Sequence, residues 1–278
     1  MNQNWIVENI LNAFATWNDK LAELWSLVTM SPDAFKGGAV WAVMQNIHGG
    51  LLAVGYGLLI LFFAMSLFKN TANFHELKRP EAAIGYLVRF VAAKAAVTYG
   101  MEIMLKLFEI CNGIVLQAAT GMGGISQAMV SLPSEIETAI RNVGFLASIP
   151  LWLVTILGSL LITVLSFVMI LTVYGRFFYI YIYTALAPIP LASFAGESTQ
   201  NVGVSFLKSY VGVCMEGAVI VLACIVFSAF AASGTVVLGG GSVVTQVWGY
   251  LGEVIFNMLV LVGLVKGADR VVREMFGM

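Results

Sequence analysis

Apolar residues recur every three or four positions along residues 5–29. Ile6, Ile10, Phe14, Trp17, Leu21, Trp25 and Val28 share one face, while Glu8, Asn12, Asp19, Lys20 and Glu23 lie on others. That period predicts an amphipathic helix. Trp5, Trp17 and Trp25 suit the membrane–water boundary, where an apolar ring with one N–H donor belongs. The helix is therefore expected on the membrane surface or beneath a neighbouring subunit. Ser31-Pro32-Asp33 breaks it and offers caps for a new helix. The pattern then changes to long apolar stretches. The first, Trp41–Phe68, is apolar from Leu51 onward and has polar first turns at Gln45, Asn46 and His48. Gly49, Ala53 and Gly57 form a small-residue ridge at i+4, a pattern that lets membrane helices approach closely.

Residues 81–120 read as one long helix without proline, apolar enough for a membrane yet carrying Arg89, Lys94, Glu102, Lys106 and Glu109. Lys94, Thr98, Glu102 and Lys106 follow at i+4, and Glu109 and Asn112 continue at i+3. At about 100° per residue these six fall within a third of the helix circumference. From Lys94 to Asn112 is roughly 27 Å at about 1.5 Å per residue, close to the thickness of a hydrocarbon core. Ionisable groups at that depth cost several kcal/mol each unless they face protein or water, so the stripe is expected to point inward. A second reading stays open: residues 81–100 cross, and the rest lies along the surface with Glu102 and Lys106 paired.

A Gly-rich connection (GMGG) follows, then PSEIETAIRN, which Ser134 is placed to cap. Asn142–Gly175 holds 34 residues without a charge, ample for a crossing. Arg176 ends that run. The next block, FFYIYIYTALAPIPLASFAG, has spanning length, but Pro188 and Pro190 lie near its end and its aromatic cluster looks interfacial. Ser209–Ala232 and Val247–Val265 supply further crossings, separated by the charge-free loop GTVVLGGGSVVTQ.

Counting basic residues decides between five crossings and six. Lys69, Lys78 and Arg79 place the loop at 69–80 in the cytoplasm, so the amino terminus is outside. Five crossings leave Arg176, Lys208, Lys266, Arg270 and Arg273 inside as well, whereas six put the last three outside. Five is the better count. Glu216 and Glu253 lie nearer the ends of their crossings than the middle, which fits snorkelling or a helix–helix hydrogen bond, with a permeation path as the alternative. Gly263 and Gly267 form a second close-packing pair.

Composition agrees with this pattern. The chain is 60% hydrophobic and 10% charged, with net charge −1, against about 25% charged residues in soluble domains. The first thirty residues do not read as a secretory signal, since no basic residue precedes the first apolar run. Cys111, Cys214 and Cys224 have no metal-ligand or CxxC spacing, and Cys214 and Cys224 stand ten residues apart on one expected helix. His48 and His75 have no partner cluster, so these cysteines and histidines read as structural. No HExxH, GxSxG or P-loop is present, nor paired acids with a histidine, so neither catalytic nor metal residues are expected and no cofactor is implied. Inverted halves with paired broken helices are absent too. The expected fold is an all-α, polytopic membrane helical bundle. An amphipathic interfacial helix spans 1–38, a bundle of about five transmembrane helices 39–266, and a short amphipathic tail 267–278.

The layout resembles a known family, the TrbL-type polytopic inner-membrane proteins of type IV secretion and conjugation machines. The likeness rests on the amino-terminal helix, the ionisable second crossing and the central apolar helix. That helix leads through Tyr174-Gly175-Arg176 into the break Ala185-Leu186-Ala187-Pro188-Ile189-Pro190, and another helix begins near Val204-Ser205-Phe206-Leu207-Lys208. It covers roughly 40–275 and is closest to the compact forms on mobile elements of Gram-positive bacteria. The short stretch after Val265 departs from members that end in a long polar extension. The resemblance implies a non-enzymatic, ring-forming subunit of the bacterial cytoplasmic membrane, in contact with lipid. It further implies partnership with other secretion subunits, cytoplasmic ATPases among them, and transient handling of a DNA–relaxase or protein substrate. The alternatives are a small-solute channel or transporter subunit and a membrane anchor for a soluble enzyme.

Overall fold

The computed structural model describes residues 4–71, 80–120, 129–232 and 242–278. His75, Lys78, Arg79, the GMGG connection and most of the loop at 234–246 lie outside them. Among the described residues there are helices and turns and no strand. In order they are α1 (Asn4–Thr29), α2 (Ala39–Thr71), α3 (Pro80–Thr98), α4 (Gly100–Thr120), α5 (Ser134–Arg141), α6 (Phe145–Leu186), α7 (Pro188–Leu191), α8 (Gln200–Ala232) and α9 (Val243–Phe276). Five stretches are long and apolar enough to cross a membrane: Phe35–Lys69, Gly100–Thr120, Ser148–Leu186, Gln200–Phe230 and Val243–Phe276. The chain is a multi-pass all-α protein. Four candidate spans overlap the expected crossings, and the second is confined to Gly100–Thr120, the later half of the helix expected over 81–120.

Three boundaries differ from expectation. The single helix expected over 81–120 is two, α3 ending at Thr98 and α4 beginning at Gly100. Arg176 does not end a helix: α6 runs through it for 42 residues, roughly 63 Å at about 1.5 Å per residue. The block after Arg176 is thus the last turns of α6 followed by a break, with no separate crossing. It ends at Leu186 because Pro188 cannot donate to the carbonyl four residues back. Likewise α9 runs unbroken through residue 266 to Phe276, because nothing between Val265 and Arg273 breaks a helix. The tail is its last turns.

The chain divides into two compact units. The first comprises residues 1–29, 115–175 and 217–271. Here the apolar face of α1 is core: Ile10, Phe14, Trp17, Leu21, Leu24 and Val28 are all buried. Asn9 donates to Ser159 at 3.1 Å. Asn18 exchanges two 2.9 Å hydrogen bonds with the backbone of Val130, and Tyr174 donates to Glu23. The face expected to meet lipid or another subunit is therefore covered within the unit. Trp17 is part of its core, while Trp5 packs near Trp152 at 6.0 Å. Glu23 also accepts from Lys20, which holds that ammonium above its ordinary pKa. In α5, Ser134 is the first helical residue and Pro133 precedes it without a side-chain cap. The carbonyl of Ser134 instead accepts from Thr138.

The second unit comprises residues 30–114, 176–216 and 272–278. The expected break after α1 is a turn in which Lys36, Gly37 and Gly38 take positive φ, a region glycine enters without steric cost. Phe35 stacks on Phe177 at 4.2 Å, and Tyr181 donates to the carbonyl of Pro32 at 2.9 Å. Alternation along α6 thus buries Phe177 and Tyr181 and exposes Phe178 and Tyr179. α7 and the 3-10 turn after it (Ala192–Ala195) pack against α2 and α3.

Candidate functional site

The sequence-derived stripe lies on α3 and α4. Tyr99 separates the two helices, yet it donates to Ala95 and accepts from Ile103, both at 2.9 Å, so the hydrogen-bond ladder carries across. One core face continues through the junction: Ala93, Val97, Met104, Phe108 and Cys111 are all buried in one cluster. Lys94, Thr98, Glu102, Lys106 and Glu109 stand on a different face and are all exposed, with Asn112 half-buried at its edge. The stripe does not turn into the chain's own core. Its ion pair is Lys106 with Glu109 at 2.6 Å, where the sequence favoured Glu102. Thr98 shares a 3.0 Å hydrogen bond with Tyr56 of α2. A third face of α4, carrying Ile110 and Ile114, is exposed and apolar.

The other singled-out residues scatter. Glu216 is buried and Glu253 exposed. Gly49, Ala53, Gly57 and Gly263 are exposed and Gly267 is half-buried. A Cβ built on any of these four glycines meets nothing within 4 Å. Among the described residues neither ridge brings a neighbour against its glycines. On α2 the glycine that does meet one is Gly55, whose Cβ would lie 2.9 Å from both the Cβ and the carbonyl oxygen of Pro188.

Two buried groups carry more of this site than their place in the sequence indicated. Arg176 is 1% exposed. Its Nε donates to the carbonyl of Val213 at 3.2 Å and one terminal nitrogen to that of Cys214 at 3.0 Å. The guanidinium lies over the Phe108 ring at 5.6 Å, and Glu216 acts on it electrostatically. A planar fork, a helix backbone, an aromatic face and a carboxylate together replace water for one cation.

His48 is the second. Pro188 has no N–H, so the carbonyl of Thr184, four residues earlier, loses its helical donor. His48 Nδ1 lies 3.0 Å from that carbonyl oxygen and supplies the missing hydrogen when Nδ1 carries the proton. The proline could have flagged the orphaned carbonyl from sequence alone, but not its distant donor. His48→Ala is expected to lower stability by about 1–3 kcal/mol, the cost of stranding a buried acceptor. The check is thermal unfolding of the purified protein beside His48→Asn, which keeps a donor.

Among the described residues no group of three or more His, Cys, Asp or Glu side chains is placed to hold a metal ion. A family described as TrbL/VirB6 plasmid conjugal transfer like protein matches residues 17–188. No curated protein and no solved structure matches the chain.

Proposed function

Starting from a chain that belongs to the TrbL/VirB6 family, and so is a membrane subunit of a conjugal transfer (type IV secretion) machine, we propose that it is a non-enzymatic channel or scaffold subunit. In this reading it helps a DNA–relaxase or protein substrate across the cytoplasmic membrane. Several copies pack side by side, with Lys94, Thr98, Glu102, Lys106 and Glu109 toward a shared aqueous interior. Cytoplasmic ATPases and other secretion subunits complete the machine. The basic residues near the end of α9 keep the carboxyl terminus in the cytoplasm and the amino terminus outside.

One observation carries the reading. An apolar, membrane-length helix presents Glu102, Lys106 and Glu109 on a face that the described residues of its own chain leave exposed. Facing lipid, each would cost several kcal/mol; facing water or a neighbouring copy, little. The apolar face with Ile110 and Ile114 is then the one left for lipid. Gly49, Ala53 and Gly57, free of packing inside the chain, supply a surface for contact between copies.

Cysteine accessibility tests this in transfer-competent cells, with the native cysteines replaced by alanine. A charged thiol reagent should modify Thr98→Cys, Glu102→Cys and Lys106→Cys and spare Ile110→Cys and Ile114→Cys. Silence along the whole stripe would sink the reading, and equal labelling of both faces would place the helix at the surface. For assembly, Ala53→Leu should lower the native mass in nanodiscs while the chain stays inserted. A monodisperse wild-type monomer that still supports transfer would rule out the shared interior. The exposed Lys106–Glu109 pair contributes about 0–1 kcal/mol to the fold itself. Lys106→Ala should therefore leave melting unchanged and reduce transfer.

A further inference from the structure

The sequence spaces Cys111 and Cys214 more than a hundred residues apart, yet the fold brings them together between α4 and α8. Two contacts fix the register nearby: Tyr210 donates to the carbonyl of Met104 at 2.8 Å, and Arg176, bound to the carbonyls of Val213 and Cys214, lies over Phe108. At that level Cys111 and Cys214 are buried in one apolar cluster, and their thiols act on each other electrostatically. We propose that Cys111 and Cys214 form a reversible disulfide that ties α4 to α8.

In closure the two S–H bonds break and one S–S bond forms, releasing two electrons and two protons. A lipid-soluble quinone accepts all four and becomes the quinol. That class suits the place, since Cys111 and Cys214 lie on helices apolar and long enough to cross a membrane, where such a quinone dissolves. Arg176 acts electrostatically on both thiols, so negative charge on the attacking sulfur develops beside a fixed cation. Closure would hold α4, and with it the charged face, against α8. Its effect on transfer rests on the function proposed above; the chemistry of closure does not.

The test uses the full chain in membrane vesicles treated with tetramethylbenzoquinone, whose substituted ring cannot add a thiol. The protein is then denatured, alkylated and weighed intact. Wild type should lose the mass of two hydrogens and take up a single alkyl group, at Cys224, and a reductant should restore all three sites. Cys224→Ser should close equally, while Cys111→Ser and Cys214→Ser should not close internally. Three alkyl groups on oxidised wild type, or the same mass loss in Cys111→Ser, would overturn the pairing. In cells given the quinone, transfer should fall severalfold for wild type and hold for Cys111→Ser. A disulfide that forms with no change in transfer would keep the pair and remove its control of the machine.

Discussion

Arg176→Ala is expected to cost about 3–5 kcal/mol, the range for breaking a buried charge interaction by removing one partner. The change deletes two hydrogen bonds to α8 and the cation over Phe108, and takes away the positive charge that acts on Glu216. It also empties one of the larger fully enclosed side-chain volumes in the chain. Folded yield from membranes and the melting temperature in detergent should both fall sharply. Arg176→Lys should fall in between, because one ammonium cannot serve two carbonyls and a ring face as the planar fork does. Arg176→Met with Glu216→Gln should recover much of the loss, since replacing both charges by neutral groups of similar volume is often close to neutral. An alanine variant that accumulates and melts like wild type would show that the guanidinium holds nothing together.

The second large effect is expected from a single methyl group. Gly55→Ala puts a Cβ 2.9 Å from the backbone oxygen of Pro188, nearer than such atoms approach, and the obstacle is backbone that cannot rotate away. α2 and the α6–α7 break must separate, at about 1–3 kcal/mol for overpacking. Gly57→Ala, two residues on, meets nothing within 4 Å and replaces a poor helix former by the best one. It should leave the isolated chain as stable as before or slightly more so. Thermal melts of the two variants side by side decide the matter. Equal melts would mean that Gly55 and Pro188 do not touch.

Those two glycines also show where the sequence was legible. The place of the spans came from apolar run length and their number from the count of basic residues. Five candidate spans stand among the described residues, the second confined to Gly100–Thr120. The i+4 ridge Gly49, Ala53 and Gly57 is equally plain, but periodicity says which residues share a face, not what the face meets. Among the described residues a Cβ at Gly49 or Gly57 meets nothing within 4 Å, and Gly55, outside the pattern, takes the contact. The charge stripe repeats the lesson: its common face was readable, its exposure was not. Arg176 looked like the end of a run because a charge usually ends one. Its partners are carbonyls of α8, invisible to a pattern of side chains. The α1 face was read as interfacial because one amphipathic face suits lipid and protein alike, and only the rest of the first unit decides between them.

The length of α6 sets how much of this protein the bilayer can hold. At a tilt of about 40°, the upper end of what membrane helices show, a hydrocarbon core of about 30 Å takes up roughly 39 Å of helix, or about 26 residues. α6 has 42, so about 16 residues, more than four turns, must stand clear of the lipid tails. In that sense α6 is a mast stepped in the membrane, with a length of it beyond the hydrocarbon at one side or both. Surface on that length is open to soluble proteins, and amides there with weak protection should exchange with solvent while the lipid-shielded turns do not. A transfer machine could grip this subunit by its mast.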